Sequence, residues 1–383
     1  MTGDDLSLAE KVGQLFMVGF DGMEVTAALG AWLEQFAWGG VMLFGRNAKS
    51  PEQLLALSRG LQAVARARRN LPLLIAVDQE GGRVARLKAP FTAFPSAATL
   101  GRTGSEQLTY DVGRAIGSEL RAVGITMNMA PVLDVLTNPA NTVIGDRSFG
   151  ADPMAVARLG TAFIRGMRAT AVLATAKHFP GHGDTWLDSH VARPVSERSV
   201  AQLVACDLLP FREAIAADVD AIMTAHVVYP AWESHYPATL SPTILTGVLR
   251  GELGFGGAII TDDLGMGAVS DGWPWEEIPL LALHAGADVL LICHGRQRQE
   301  QAYASVLKAV QSGALPEAVV DQAVTRVEAL KARLSRLVQG QATAATVACI
   351  GSATHQALVE AVSERSSHTT MTGGTHGERS VVG

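Results

Sequence analysis

The sequence predicts an α/β fold, a single-domain (β/α)8 TIM barrel with a short C-terminal tail. Three observations predict it: eight short apolar runs, stretches of helical periodicity between them, and Asp, His or Lys placed just after six of the eight runs. Strands that alternate with helices imply parallel pairing, and near-continuous apolar strands imply a sheet covered on both faces. Eight such units favour a closed barrel over an open doubly wound sheet.

The elements follow in order. A helix start is marked by Ser7, three residues ahead of Glu10 in capping-box spacing, and leads to the first run, Gln14–Gly19. The second run is Val41–Phe44; Ser50 then offers an N-cap and Pro51 a first helical residue for a helix over Pro51–Arg69. Leu73–Val77 is the third run. Helical intervals Ser105–Val123, Pro153–Thr170 and Val200–Ala217 precede the fourth, fifth and sixth runs, Met127–Pro131, Leu173–Ala176 and Ala221–Thr224. Ser241–Leu253 precedes Ala258–Thr261, and Pro274–Gly286 precedes Val289–Ile292. Gly124, Gly254 and Gly286 each end a helical stretch, where a left-handed residue is expected. Residues 1–338 are assigned to the barrel. The tail, 339–383, is rich in Thr, Ser, Gly and Ala, with one amphipathic helix expected at His355–Arg365 and disorder at its ends.

Composition narrows the partners. The chain has 383 residues, 48% of them hydrophobic and 18% charged, enough for a large core. A net charge of −6 without a long Lys/Arg block argues against a nucleic-acid backbone or an anionic membrane as partner. The longest apolar stretch, Ile278–Cys293, is broken by His284 and Asp288 and is shorter than the roughly 20 residues of a membrane helix. Acidic residues stand where an export signal would carry Lys or Arg, and the three cysteines form no disulfide or zinc pattern. A cytoplasmic location is the expectation.

Residues at the carboxyl ends of barrel strands build the site in such folds. Asp78, Asp134, Lys177 with His178, His226, Asp262 and His294 all fall there. The densest cluster is Lys177–His190, with three histidines, two aspartates and a lysine around Gly181 and Gly183. A metal site is one reading, but Pro180 and the glycines forbid a helical His-x-x-x-His pattern, and no metal is expected. Acid–base chemistry is another, because Asp188 stands two residues from His190 and can orient its ring. From the triplet alone, a hydrogen-bonded loop histidine explains His190 as well. Asp262-Asp263 follows the seventh run; one of the two faces the axis, though the pair also suits a helix start. Asp78-Gln79-Glu80-Gly81-Gly82-Arg83-Val84-Ala85-Arg86 pairs carboxylates with guanidinium groups suited to sugar hydroxyls. Arg147, within Gly145–Gly150, reads in isolation as a surface ion pair.

Taken in order, Gly13-Gln14-Leu15-Phe16, the Asp78–Val84 segment, Ala130-Pro131-Val132-Leu133-Asp134-Val135, Gly145–Gly150, the Lys177–His190 loop and Thr261-Asp262-Asp263-Leu264 resemble the bacterial N-acetyl-β-glucosaminidase branch of glycoside hydrolase family 3. The resemblance spans roughly Leu6 to Val338. It implies a retaining double displacement without a cofactor, in which Asp262 is the nucleophile and His190, assisted by Asp188, is the acid/base. It also implies that Asp78, Arg86, Arg147, Lys177 and His178 bind the hydroxyls and N-acetyl group of a small carbohydrate. A phosphorylase using the same pocket and a catalytically silent sugar-binding barrel are the alternatives. Oligomeric state is left open.

Overall fold

The computed structural model describes residues 6–69, 72–186, 193–339 and 346–372. Eight parallel strands form the barrel: β1 (Phe16–Gly19), β2 (Gly40–Leu43), β3 (Leu74–Val77), β4 (Met127–Asn128), β5 (Leu173–Phe179), β6 (Ala221–Thr224), β7 (Ala258–Ile260) and β8 (Leu290–Ile292). Their order runs β7-β6-β5-β4-β3-β2-β1-β8. The ring closes between β7 and β8 through a parallel bridge of Ile260 with Val289 and the amide of Thr261 donating to the Val289 carbonyl at 2.9 Å.

Alternation along each strand divides the apolar residues into two cores. Met17, Met42, Leu74, Ala76, Met127, Met223, Ile260 and Leu291 fill the barrel interior. Phe16, Val18, Val41, Leu43, Ile75, Val77, Ile222 and Ile259 face the helices. Both faces of every strand are therefore dry, which explains why the strands read as unbroken apolar runs rather than as alternating ones.

Ser7 makes the expected capping box with Glu10, and Ser50 Oγ accepts the amide of Gln53 at 3.2 Å at the start of Pro51–Arg69. Gly124, Gly254 and Gly286 take φ values of 79°, 68° and 113°. Two of the expected helices depart from regular α-helix. The Val200–Ala217 interval is Val200–Gln202, a wide π turn at Leu203–Asp207, and Leu208–Ala216. Pro210 has no amide to bond the carbonyl of Cys206, so this stretch lacks one rung of regular α-helix. The Ser241–Leu253 interval is π-helical over Thr243–Glu252. β5 also runs to Phe179 rather than ending at Ala176, which places Lys177 and His178 in the strand itself.

The long helix Glu317–Gln339 closes the amino-terminal mouth of the barrel, sending Val327, Leu330 and Leu334 into the inner core. Lys331 is buried beside them, with Nζ 2.6 Å from Gln14 Oε1. Burial pushes its pKa down to about 7 from 10.5, with Glu328 opposing. Between those two values the unfolded chain holds a proton that the folded chain does not, so this group makes stability rise with pH over that window. Lys331→Met is expected to stabilise the protein by a few kcal/mol at pH 7 and by progressively less toward pH 10. Denaturant unfolding at both pH values measures it; an equal gain at each pH would refute the charge argument.

Among the described residues no helix is long and apolar enough to cross a membrane. The C-terminal segment contributes a short turn, Val347–Cys349, and a helix, Ala353–Thr372, that packs against the helix Ala97–Thr103.

Candidate active site

A cavity of ≈ 660 Å³ opens at the carboxyl ends of the strands. Asp78, Arg86, Arg147, Lys177, His178 and Asp262 all line it. The barrel thus brings residues from four separate strand ends and their loops to one chamber. Asp188 and His190 lie outside the described residues.

One wall is an ion-pair cluster. Asp78 follows β3, and the hairpin Gln79–Gly81 with Val84–Ala85 comes next. On this extended stretch Asp78 and Glu80 face the cavity, while Gln79 turns away to bond both backbone groups of Leu87. Lys177 Nζ sits between the two carboxylates, 2.9 Å from Asp78 and 2.7 Å from Glu80. Arg147 grips both oxygens of Glu80, at 2.9 and 2.8 Å. Arg86 reaches the other oxygen of Asp78 at 3.3 Å.

Burial alone would raise the Glu80 carboxyl, but Lys177 and Arg147 overcome it and hold the pKa at about 2. Burial likewise opposes the Lys177 ammonium, and Asp78 and Glu80 outweigh it, so its pKa lies above the ordinary value. Both Glu80 and Lys177 are therefore charged at neutral pH. Arg147, which in isolation reads as a surface ion pair and by the family resemblance as a sugar ligand, is mostly buried in the cavity wall.

A second group orients the imidazoles. The register of β5 with β6 shifts between Ala176 and Phe179, and this irregularity lets both Lys177 and His178 face the cavity. Asp134, fully buried after β4, accepts the amides of His178 (3.1 Å) and His182 (2.7 Å) on one oxygen and pairs with His178 Nδ1 at 2.7 Å on the other. Burial works against its charge, but His178 and His182 lower its pKa. An ionised Asp134 accepts a hydrogen bond from Nδ1–H of His178 and leaves Nε2, 3.5 Å from Arg147, to face the cavity. His182 also lines the cavity, and burial holds its pKa down to about 4, so its ring is neutral.

Asp262 follows β7. Burial raises its pKa, yet His226, His178, the Asp263 amide at 2.8 Å and Lys177 together bring it below the ordinary value. The result is a buried, ionised carboxylate, as a nucleophile requires. Asp263 is engaged differently, since its Oδ1 accepts the amides of Gly265 (3.0 Å) and Cys293 (3.2 Å) and ties the loop after β7 to the end of β8. His226 is buried after β6, with Nε2 donating to the Asp263 carbonyl at 3.0 Å and Nδ1 2.7 Å from Thr239 Oγ1. Sequence reasoning placed Asp134 and His226 at strand ends and Glu80 in the Asp78–Arg86 cluster but gave none of the three an individual role. Alternation along the Asp78–Glu80 stretch is the signal that finds Glu80. Among the described residues no three His, Cys, Asp or Glu side chains are grouped to hold a metal ion.

The glycosyl hydrolase family 3 N terminal domain matches residues 7–330 of the chain. A beta-hexosaminidase of Alkalilimnicola ehrlichii is 41% identical over 284 residues, covering 73% of this chain and 80% of its own length. The structure of a glycoside hydrolase family 3 beta-N-acetylglucosaminidase from Paenibacillus sp. superposes with a TM-score of 0.90 at 45% identity, covering 94% of this chain and 69% of that one. A beta-glucoside phosphorylase bound to 2FGlc superposes with a TM-score of 0.84 at 25% identity, covering 94% of this chain and 65% of that one. A charged, sugar-sized cavity at the carboxyl face of a closed barrel accords with these likenesses, and the chain belongs to glycoside hydrolase family 3 as an enzyme that cleaves glycosidic bonds.

Proposed function

We propose that this protein is a retaining exo-β-N-acetylglucosaminidase that removes terminal, non-reducing β-linked N-acetylglucosamine, with cell-wall muropeptides in the cytoplasm as its substrate source. The observation that carries the reading is the buried carboxylate of Asp262, kept ionised in a cavity that also holds the Asp78, Glu80, Lys177 and Arg147 cluster. The similarity to beta-hexosaminidases supports the choice of sugar.

In this mechanism the cluster binds the terminal sugar through paired hydrogen bonds, with Arg86 and the cavity-facing Nε2 of His178 adding contacts to hydroxyls and the N-acetyl group. Asp262 attacks the anomeric carbon while His190 protonates the departing glycosidic oxygen, and a glycosyl-enzyme ester forms. His190 then takes a proton from water, which attacks the same carbon and frees Asp262. Asp188 orients His190 and balances its positive charge. The ester step needs an anionic Asp262, and His226, His178 and Lys177 favour that state.

A second reading, phosphorolysis, is supported by the likeness to the beta-glucoside phosphorylase and by a histidine acid/base, which repels phosphate less than a glutamate would. One experiment tests both. Aryl N-acetyl-β-glucosaminide and aryl β-glucoside are compared with and without inorganic phosphate. Preference for the N-acetyl sugar with free sugar as product is expected; sugar 1-phosphate as the main product would favour the second reading, and a preference for the glucoside would overturn the substrate assignment.

A further inference from the structure

We propose that the C-terminal segment Val347–Thr372 is a positioning element for the sugar-binding cluster, acting through the buried Glu119 and its partner His355. The proposal rests on the reading of the Glu80 hairpin as sugar-binding. Glu119 stands on the helix Glu106–Ala122 and is 2% exposed. Its carboxylate accepts four hydrogen bonds. Thr92 supplies two, from its amide at 3.0 Å and its hydroxyl at 2.5 Å. The C-terminal segment supplies the others, from the Gly351 amide at 3.0 Å and His355 Nδ1 at 2.8 Å. A carboxylate withdrawn from water depends on such donors, so half of what fixes Glu119 comes from beyond the barrel.

Thr92 leads directly to the site. The Phe94 amide donates to the Thr92 carbonyl at 3.0 Å, and the Gly82 amide donates to the Phe94 carbonyl at 2.9 Å. A Cβ on Gly81 would stand 2.4 Å from the Pro95 carbonyl oxygen, and one on Gly82 2.7 Å from Ser96 Cβ. The hairpin that carries Glu80 is therefore moulded onto the strip from Thr92 to Ser96, with no room between them.

The same strip reaches Arg147. Ser96 caps the helix Ala97–Thr103, whose Gly101 packs so tightly on Phe149 that a Cβ would lie 1.8 Å from the Phe149 carbonyl oxygen. Phe149 lies two residues beyond Arg147, in the same turn. The C-terminal helix packs on Ala97–Thr103, where Arg102 Nε donates to Ser366 Oγ at 3.0 Å. Both halves of the Glu80–Arg147 pair thus rest on a strip that the C-terminal segment holds against the barrel.

His355→Ala removes one donor to Glu119 without touching the cavity. The expected result is a KM for aryl N-acetyl-β-glucosaminide raised about five- to tenfold, with kcat changed less than about twofold, because ground-state and transition-state binding weaken together. Amide hydrogen exchange over residues 79–96 is expected to quicken in the free protein. His355→Asn, whose side-chain amide can replace Nδ1 as donor, is expected to restore both. An unchanged KM, unchanged exchange over 79–96, or failure of His355→Asn to restore them overturns the proposal. Exchange is read without substrate, so lack of turnover by the wild-type enzyme would count against the functional reading and leave exchange to decide the positioning role.

Discussion

Asp262→Ala abolishes turnover of aryl N-acetyl-β-glucosaminide, with kcat/KM falling on the order of 10⁴-fold or more. The size follows from the role: without this carboxylate no ester forms, and developing positive charge at the anomeric carbon meets no counter-charge. The surroundings make the prediction specific. His226, His178 and Lys177 stabilise the anion of Asp262 against burial, an arrangement that is wasted on a helix cap. Asp263, one residue on, spends its carboxylate on the amides of Gly265 and Cys293, so Asp263→Asn is expected to lower stability more than chemistry. Steady-state rates with both variants, checked by thermal unfolding, separate the two. Asp262→Ala retaining more than about a tenth of wild-type kcat/KM would remove Asp262 as nucleophile.

Much of the fold was legible because burial on both faces writes each strand as an apolar run, and because Ser7, Ser50 and the C-terminal glycines punctuate the helices. The boundary of β5 was misplaced for a physical reason. Lys177 and His178 look like a loop in a sequence, since charge at a strand end costs solvation, yet Asp78, Glu80 and Asp134 supply partners that allow both to be buried. These partners lie between 44 and 99 residues away, beyond the reach of any local pattern. The same blindness made Arg147 look like a surface ion pair. Its partner, Glu80, sits within the Asp78–Val84 motif, where alternation turns Glu80 rather than Gln79 inward, but the partner lies 67 residues from Arg147 in the chain. The wide turn at Leu203–Asp207 was illegible because apolar periodicity does not register the missing amide of Pro210.

Lys177→Met is expected to lower kcat/KM by about 10²- to 10³-fold and stability by about 3–5 kcal/mol. The lysine is 2% exposed, and its ammonium is shared by Asp78 at 2.9 Å and Glu80 at 2.7 Å. Methionine fills similar space but leaves two carboxylates facing each other across an uncharged side chain. Arg147 still pairs with Glu80, whereas among the described residues Asp78 keeps only the longer contact to Arg86. The pH response follows from the sign of the shifts. Wild-type Glu80 is held at about 2, so its charge contributes stability that is complete above its unfolded value and is lost as pH falls toward 2. Without Lys177 the Glu80 pKa rises toward its unfolded value, so that contribution shrinks and its loss is complete at higher pH. Denaturant unfolding from about pH 2 to 7 and the pH profile of KM measure the two effects. A variant with a wild-type KM and an unshifted acid limb of stability would show that Lys177 neither holds the carboxylates nor binds the sugar.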